Sequence, residues 1–199
     1  MTLVKICGLR RKEDIEAVNR LKPDMVGFMF YPGSKRYISY EQAAMLKGML
    51  DPGIEAVGVF VNAREEEIIQ AAKDGIIDQV QLHGQEDDAM IRTIQKATGL
   101  TVIKAFRMET EEDVEKANES MADLVLLDHG AGGSGKAFAW ELANGMRRPY
   151  LLAGGLHAGN VKQAVSQLEP FGIDVSSGAE TDGWKDERKI EAIIKAVRE

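Results

Sequence analysis

Cys7 is the only cysteine in the chain, and it ends the run Leu3-Val-Lys-Ile-Cys7 just before Gly8. A thiol at the end of a strand can accept a proton when a nearby cation raises its thiolate fraction. Side chains alternate along a strand, so Leu3, Lys5 and Cys7 share one face. If that face points into a core, Lys5 lies beneath Cys7 and needs a carboxylate partner, because an isolated buried charge is very costly. Asp174 is one candidate, provided its side chain also points inward. Such a lysine is expected to draw the thiol pKa down toward neutrality. The plain alternative is a cysteine that packs as a small hydrophobe.

Asp128 is the second candidate. It ends the apolar run Leu124-Val-Leu-Leu127 and precedes His129-Gly-Ala-Gly-Gly-Ser-Gly-Lys136. A carboxyl facing a thiol across a bound ligand suits proton donation on one side and abstraction on the other. The alternative is an aspartate that caps a turn. The glycine-rich stretch fails the G-x-x-x-x-G-K-[ST] phosphate-loop spacing because Ala137 follows Lys136, and it reads as a mobile lid. Arg36, in Tyr31-Pro-Gly-Ser-Lys-Arg-Tyr37, could grip a substrate carboxylate through two hydrogen bonds, or simply be a solvated loop residue. His83 reads as a satisfied histidine rather than an acid/base group. Histidines at 83, 129 and 157 show no metal-ligand spacing.

Two glycine- and serine-bearing segments point to a phosphate. Ala153-Gly-Gly-Leu156 and Val175-Ser-Ser-Gly178 each follow an apolar run. Gly154 and Gly155 let backbone N–H groups approach an anion, and Ser176 or Ser177 can add a hydroxyl. Tight strand-to-helix turns are the alternative.

These residues need elements to place them. Strands are expected at Leu3–Cys7, Met25–Phe30, Ala56–Val61, Gln79–Leu82, Thr101–Phe106, Leu124–Leu127, Tyr150–Ala153 and Ile173–Val175. Their spacing of roughly 25 residues is about the shortest that holds a strand, a loop and a helix. Helical patterns fall between them. Ser39 with Gln42 and Asn62 with Glu65 read as capping boxes, and Thr110 as a cap. Ile190, Ile193, Ile194 and Val197 form a buried stripe on the last helix. Eight βα units with no early G-x-G-x-x-G turn favour a (β/α)8 barrel of the TIM type over an open doubly wound sheet, as one domain over residues 1–199. In such barrels the site forms at the C-terminal ends of the strands, where Cys7, His83, Asp128, Gly154, Gly155, Ser176 and Ser177 fall.

Composition narrows the partners. The chain has 199 residues and a net charge of -7 with acids and bases interspersed. That argues against nucleic acid, which needs clustered Lys and Arg, and leaves a small anionic substrate open. No stretch approaches the roughly 20 apolar residues of a membrane span. The first eleven residues read as a strand rather than a signal peptide, and one cysteine forms no internal disulfide, so a cytoplasmic protein is expected. A monomer is expected, with a dimer as the alternative.

Taken in order, the motifs resemble one family over essentially the whole chain. They are Lys5-Ile-Cys-Gly8, Gly27-Phe-Met-Phe30, Ser34-Lys-Arg36, Gly58-Val-Phe-Val-Asn62 and Val80-Gln-Leu-His-Gly84, then Leu127-Asp128 ahead of Gly132-Gly-Ser-Gly-Lys136 and Trp140. Leu152-Ala-Gly-Gly-Leu156, Asn160-Val161, Asp174-Val-Ser-Ser-Gly-Ala-Glu180 and Gly183-Trp-Lys-Asp186 complete the set. The sequence resembles the phosphoribosylanthranilate isomerases of tryptophan biosynthesis. The resemblance implies an Amadori rearrangement of N-(5-phosphoribosyl)anthranilate to 1-(2-carboxyphenylamino)-1-deoxyribulose 5-phosphate, with no metal and no organic cofactor. It implies that Asp128 protonates the ribose ring oxygen, opening the ring to a Schiff base, and that Cys7 then removes the C2 proton to give an enolamine. It gives Arg36 the anthranilate carboxylate and Asp174 an orienting role. Gly154, Gly155, Ser176 and Ser177 take the phosphate, and Gly133 contacts substrate. Three departures stand out: Lys35 replaces a usual proline, Ser134 a commoner threonine, and Ala139 an aspartate often found before the tryptophan.

The nearest rivals are an aminoimidazole phosphoribosyl isomerase, which should carry aspartate at position 7, and an indoleglycerol phosphate synthase, which needs differently arranged Lys and Glu groups. A barrel that only binds a phosphorylated metabolite is the rival from another class, disfavoured by the presence of both Cys7 and Asp128.

Overall fold

Short runs rich in β-branched and other apolar residues form eight parallel strands that close into a barrel in sequence order. They are β1 (Leu3–Cys7), β2 (Met25–Met29), β3 (Glu55–Phe60), β4 (Gln79–Leu82), β5 (Thr101–Arg107), β6 (Leu124–Asp128), β7 (Tyr150–Leu152) and β8 (Gly172–Val175). The computed structural model describes residues 1–128 and 140–199. Between the strands lie α1 (Lys12–Leu21), α2 (Tyr40–Met49), α3 (Glu65–Lys73), α4 (Asp88–Thr98), α5 (Glu111–Glu119), the single turn α6 (Trp140–Ala143) and α7 (Val161–Leu168); α8 (Glu187–Arg198) closes the chain. One element was not expected. After β8, a 3-10 turn leads into a small antiparallel hairpin, β9 (Glu180–Thr181) and β10 (Trp184–Lys185).

Strand alternation divides the apolar residues into two layers. Val4, Ile6, Phe28, Val80 and Val125 pack outward in one cluster with helix residues such as Ile15, Ile68 and Ile91. Met25, Val57, Ile103, Leu126 and Leu151 fill the barrel interior. On α8 three residues of the expected stripe, Ile190, Ile193 and Ile194, are buried, while Val197 packs against the core only partly buried. Each such isoleucine is worth about 1.5–3 kcal/mol of burial.

The closed end of the barrel carries a repeated device. Asp24, Asp78 and Asp123 stand just before β2, β4 and β6. Each carboxylate accepts from a backbone N–H near the start of the preceding strand, at Val4 (2.8 Å), Ala56 (2.7 Å) and Val102 (2.8 Å). The paired strands are thereby pinned in register at the end away from the candidate residues.

Of the three caps expected, Thr110 holds in full and Ser39 holds as a cap without the expected box, since the Gln42 side chain donates to the Arg10 carbonyl instead. Ser39 Oγ accepts from the Gln42 N–H at 3.2 Å, and Thr110 makes a full capping box with Asp113. The Asn62–Glu65 box does not form, because α3 begins at Glu65 with Arg64 in the cap position. Asn62 instead adopts a left-handed backbone (φ 51°) and its Oδ1 accepts from the Gln85 N–H at 2.7 Å, joining the loops after β3 and β4.

Candidate active site

Cys7 and Asp128 are the last residues of β1 and β6, at the same end of the barrel. Only β7 and β8 separate these strands on the shorter way round, so the two residues face each other across the mouth. Space for the thiol depends on Gly27, its register partner on β2. A Cβ there would sit 2.6 Å from Cys7 Sγ.

Lys5 lies in register with Asp174 on β8, as strand alternation requires of inward neighbours. Lys5 Nζ donates to Asp174 Oδ1 at 3.0 Å, with the lysine fully buried and Asp174 nearly so. Burial alone would favour neutral Lys5, but the Asp174 carboxylate and Cys7 outweigh it and hold the ammonium above the usual lysine range. Lys5→Met strands the Asp174 carboxylate without its cation and is expected to cost about 3–5 kcal/mol of stability. Urea unfolding measures this directly; a variant as stable as the parent would contradict it.

Lys5 does not bring the thiol to neutrality. Desolvation of Cys7 is the larger effect, and it pushes the thiol up despite the opposing pull of Lys5 and Lys185. The expectation of a lowered thiol pKa is therefore corrected: a charged neighbour was legible in the sequence, but the depth of burial was not.

Arg36 hangs over the mouth from the loop after β2. Its Nε and Nη2 bond the two oxygens of Glu180 at 2.6 and 2.8 Å. Lys185 Nζ adds a third bond to Glu180 at 2.7 Å and reaches the Ser176 carbonyl at 3.0 Å. Burial works against the Glu180 carboxylate, but Arg36 and Lys185 overcome it and hold its pKa at about 2. The clamp on Arg36 is thus complete above the ordinary glutamate range and is lost only as pH falls through that range toward the folded value. The Nη1–Nη2 edge of Arg36 is the one Glu180 does not take. Arg10 ties the same parts together: it donates to the carbonyls of Lys35 (2.7 Å) and Gly183 (2.6 Å) and stacks on Trp184 at 4.2 Å. Neither Glu180 nor Lys185 was singled out from sequence as a site residue; Glu180 lies 144 residues from Arg36.

The turns after β7 and β8 meet side by side. A Cβ on Gly178 would fall 1.9 Å from the Leu156 carbonyl oxygen, so this contact requires glycine. Gly154 and Gly155 both have positive φ (85° and 65°) and stand partly or fully open to solvent. Asn160 braces their turn, accepting from His157 N–H at 2.8 Å and donating to the Gly155 carbonyl at 3.1 Å. Ser176 Oγ is engaged with the Cys7 carbonyl at 3.1 Å, whereas Ser177 is exposed.

Asp128 has a neighbour that sequence reading set aside: His83 Nε2 lies 3.3 Å from Asp128 Oδ2. Gly133, the rest of the glycine-rich segment expected to act as a lid, and Ala139 lie outside the described residues. Among the described residues no helix is long and apolar enough to cross a membrane, and no three His, Cys, Asp or Glu are grouped to hold a metal.

The chain matches the family model for N-(5'-phosphoribosyl)anthranilate isomerase over residues 4–196. The N-(5'-phosphoribosyl)anthranilate isomerase of Thermoanaerobacter pseudethanolicus is 44% identical, covering 100% of this chain and 98% of its own. The crystal structure of the phosphoribosyl anthranilate isomerase from Thermotoga maritima superposes with a TM-score of 0.90 at 40% identity, covering 100% of this chain and 99% of that one. A phosphoribosyl anthranilate isomerase in complex with reduced 1-(o-carboxyphenylamino)-1-deoxyribulose 5-phosphate gives a TM-score of 0.87 at 38% identity, with the same coverage. This chain belongs to the N-(5'-phosphoribosyl)anthranilate isomerase family.

Proposed function

We propose that the chain catalyses the Amadori rearrangement of N-(5'-phosphoribosyl)anthranilate to 1-(2-carboxyphenylamino)-1-deoxyribulose 5-phosphate, a step of tryptophan biosynthesis. The observation that carries the reading is the pairing of Cys7 and Asp128 at one barrel mouth, flanked by an arginine and a double-glycine turn. In this reading the phosphate seats against the backbone N–H groups of Gly154 and Gly155, with Ser177 as a hydroxyl donor and Ser176 holding the turn to β1. The anthranilate carboxylate pairs with the open edge of Arg36. Anchored at both ends, the sugar lies between Asp128 and Cys7.

Asp128 then protonates the ring oxygen, and the C1–O bond breaks as the anilino nitrogen donates its electron pair, giving the Schiff base. Cys7 takes the proton from C2, and the C2–H electron pair forms the C1–C2 double bond of an enolamine. That species tautomerises to the ketone. Asp174 serves through Lys5, fixing the ammonium beneath the thiol, and in the resemblance also orients substrate. Gly133 remains a proposed substrate contact. The setting supposed is one catalytic domain over residues 1–199, a cytoplasmic monomer acting on a small phosphorylated molecule, with no added cofactor, nucleic acid or membrane.

A bacterial strain lacking its own phosphoribosylanthranilate isomerase should grow without tryptophan when it expresses this chain. No growth despite soluble expression would contradict the proposal. Arg36→Met should raise KM about ten- to a hundredfold with a small change in kcat, because it removes a contact made alike in ground and transition states. Steady-state kinetics separate the two constants, and an unchanged KM would remove Arg36 from carboxylate binding.

A further inference from the structure

Gln81 points into the barrel from β4 and is 1% exposed. Its Nε2 lies 2.9 Å from His83 Nδ1, while its Oε1 is buried with no partner among the described residues. An unpaired buried amide oxygen is a stability liability of about 1–3 kcal/mol. Methionine, of similar length, would avoid it. The described group that Gln81 serves is the imidazole, and the imidazole faces Asp128.

We propose that Gln81 and His83 are positioning residues that hold the Asp128 carboxyl both before and after it gives up its proton. This rests on reading Asp128 as the acid. A neutral imidazole has one donor and one acceptor nitrogen. With the Gln81 NH2 group against Nδ1, the ring proton sits on Nε2 and faces an ionised Asp128. With the amide turned over, its oxygen accepts from Nδ1–H, and the bare Nε2 faces a protonated Asp128 carboxyl. The orientation of an amide and the tautomer of a histidine are set by such networks rather than fixed by shape. The two arrangements differ by one proton, the one that Asp128 delivers to the ribose ring oxygen. The same three side chains thus serve the acid and its conjugate base, with two linked rearrangements: the amide rotates, and the ring exchanges its proton with solvent so that it passes between Nδ1 and Nε2.

Among the described residues, the charged groups that flank Asp128 on β5 are already paired. Arg107, in register with Asp128 on β5, bonds Glu109 at 2.6 Å. Lys104, one strand position from Ala105 and so turned away from the interior, pairs with Glu86 at 3.0 Å.

The test is steady-state kinetics against pH for the parent, Asp128→Asn, His83→Asn and Gln81→Met in one assay. His83→Asn should lower kcat about ten- to a hundredfold with KM nearly unchanged, the scale expected when a reacting group is misplaced. It should also displace the acid-group limb of the kcat profile, because the carboxyl has lost the neighbour that serves both its forms. Gln81→Met should lower kcat less, while its melting temperature rises because the orphan oxygen is gone. A packing role alone would move the melting temperature and leave kcat and its pH profile as in the parent, and that outcome overturns the inference. If His83→Asn fails to fold, Gln81→Met decides it alone. Normal turnover in Asp128→Asn would sink the acid assignment itself, a failure distinct from losing activity there while His83→Asn keeps the parent profile.

Discussion

Cys7→Ser lowers kcat by at least about a hundredfold while substrate still binds, as loss of a general base should. Serine keeps the size of the side chain and its place beside Gly27, so the barrel mouth is unchanged in shape. What it loses is an accessible anion. A thiolate forms within reach of neutral pH, whereas an alkoxide does not. Because burial pushes the Cys7 thiol up, the parent itself works through a minor thiolate fraction. The Cys7 limb of the kcat/KM profile should therefore lie above the ordinary thiol range. Lys5 and Lys185 both oppose that rise, so a variant losing either cation should move the limb higher still. Near-normal turnover in Cys7→Ser would remove the thiol from the mechanism.

Asp128→Asn gives the second large loss, again at least about a hundredfold in kcat. The amide preserves the outline of the carboxyl and can still contact His83, but it cannot give a proton to the ring oxygen. Substrate binding, measured by the quenching of substrate fluorescence in a stopped reaction, should survive, since Arg36 and the Gly154–Gly155 turn supply the anchors. A normal kcat would show that ring opening needs no acid from β6. The two losses should not multiply in the double variant, because acid and base serve one reaction and either loss already blocks it.

Much of this was legible from residue order. Every barrel strand falls within one residue of its expected ends, because a parallel strand buried on both faces leaves an uninterrupted apolar run. Strand parity alone predicted that an inward Lys5 would need a carboxylate partner, with Asp174 as one candidate, and the two are bonded. The misses share a physical cause. Glu180 and Lys185 sit on two-residue strands, too short to show any period, and Glu180 takes its arginine partner from the other end of the chain. Asn62 looked like a helix cap because asparagine caps helices, but its Oδ1 serves the Gln85 N–H in a neighbouring loop. His83 could not be placed against Asp128 until the barrel closed around both. The charge beside Cys7 was readable; the desolvation that outweighs it depends on what surrounds the thiol in space.

The most direct test of the account follows the fluorescence of phosphoribosylanthranilate, generated in situ, as the purified chain consumes it. The account predicts turnover far above the buffer rate for the parent and its near-abolition in Cys7→Ser and Asp128→Asn. Consumption by the parent at no more than the buffer rate would contradict it.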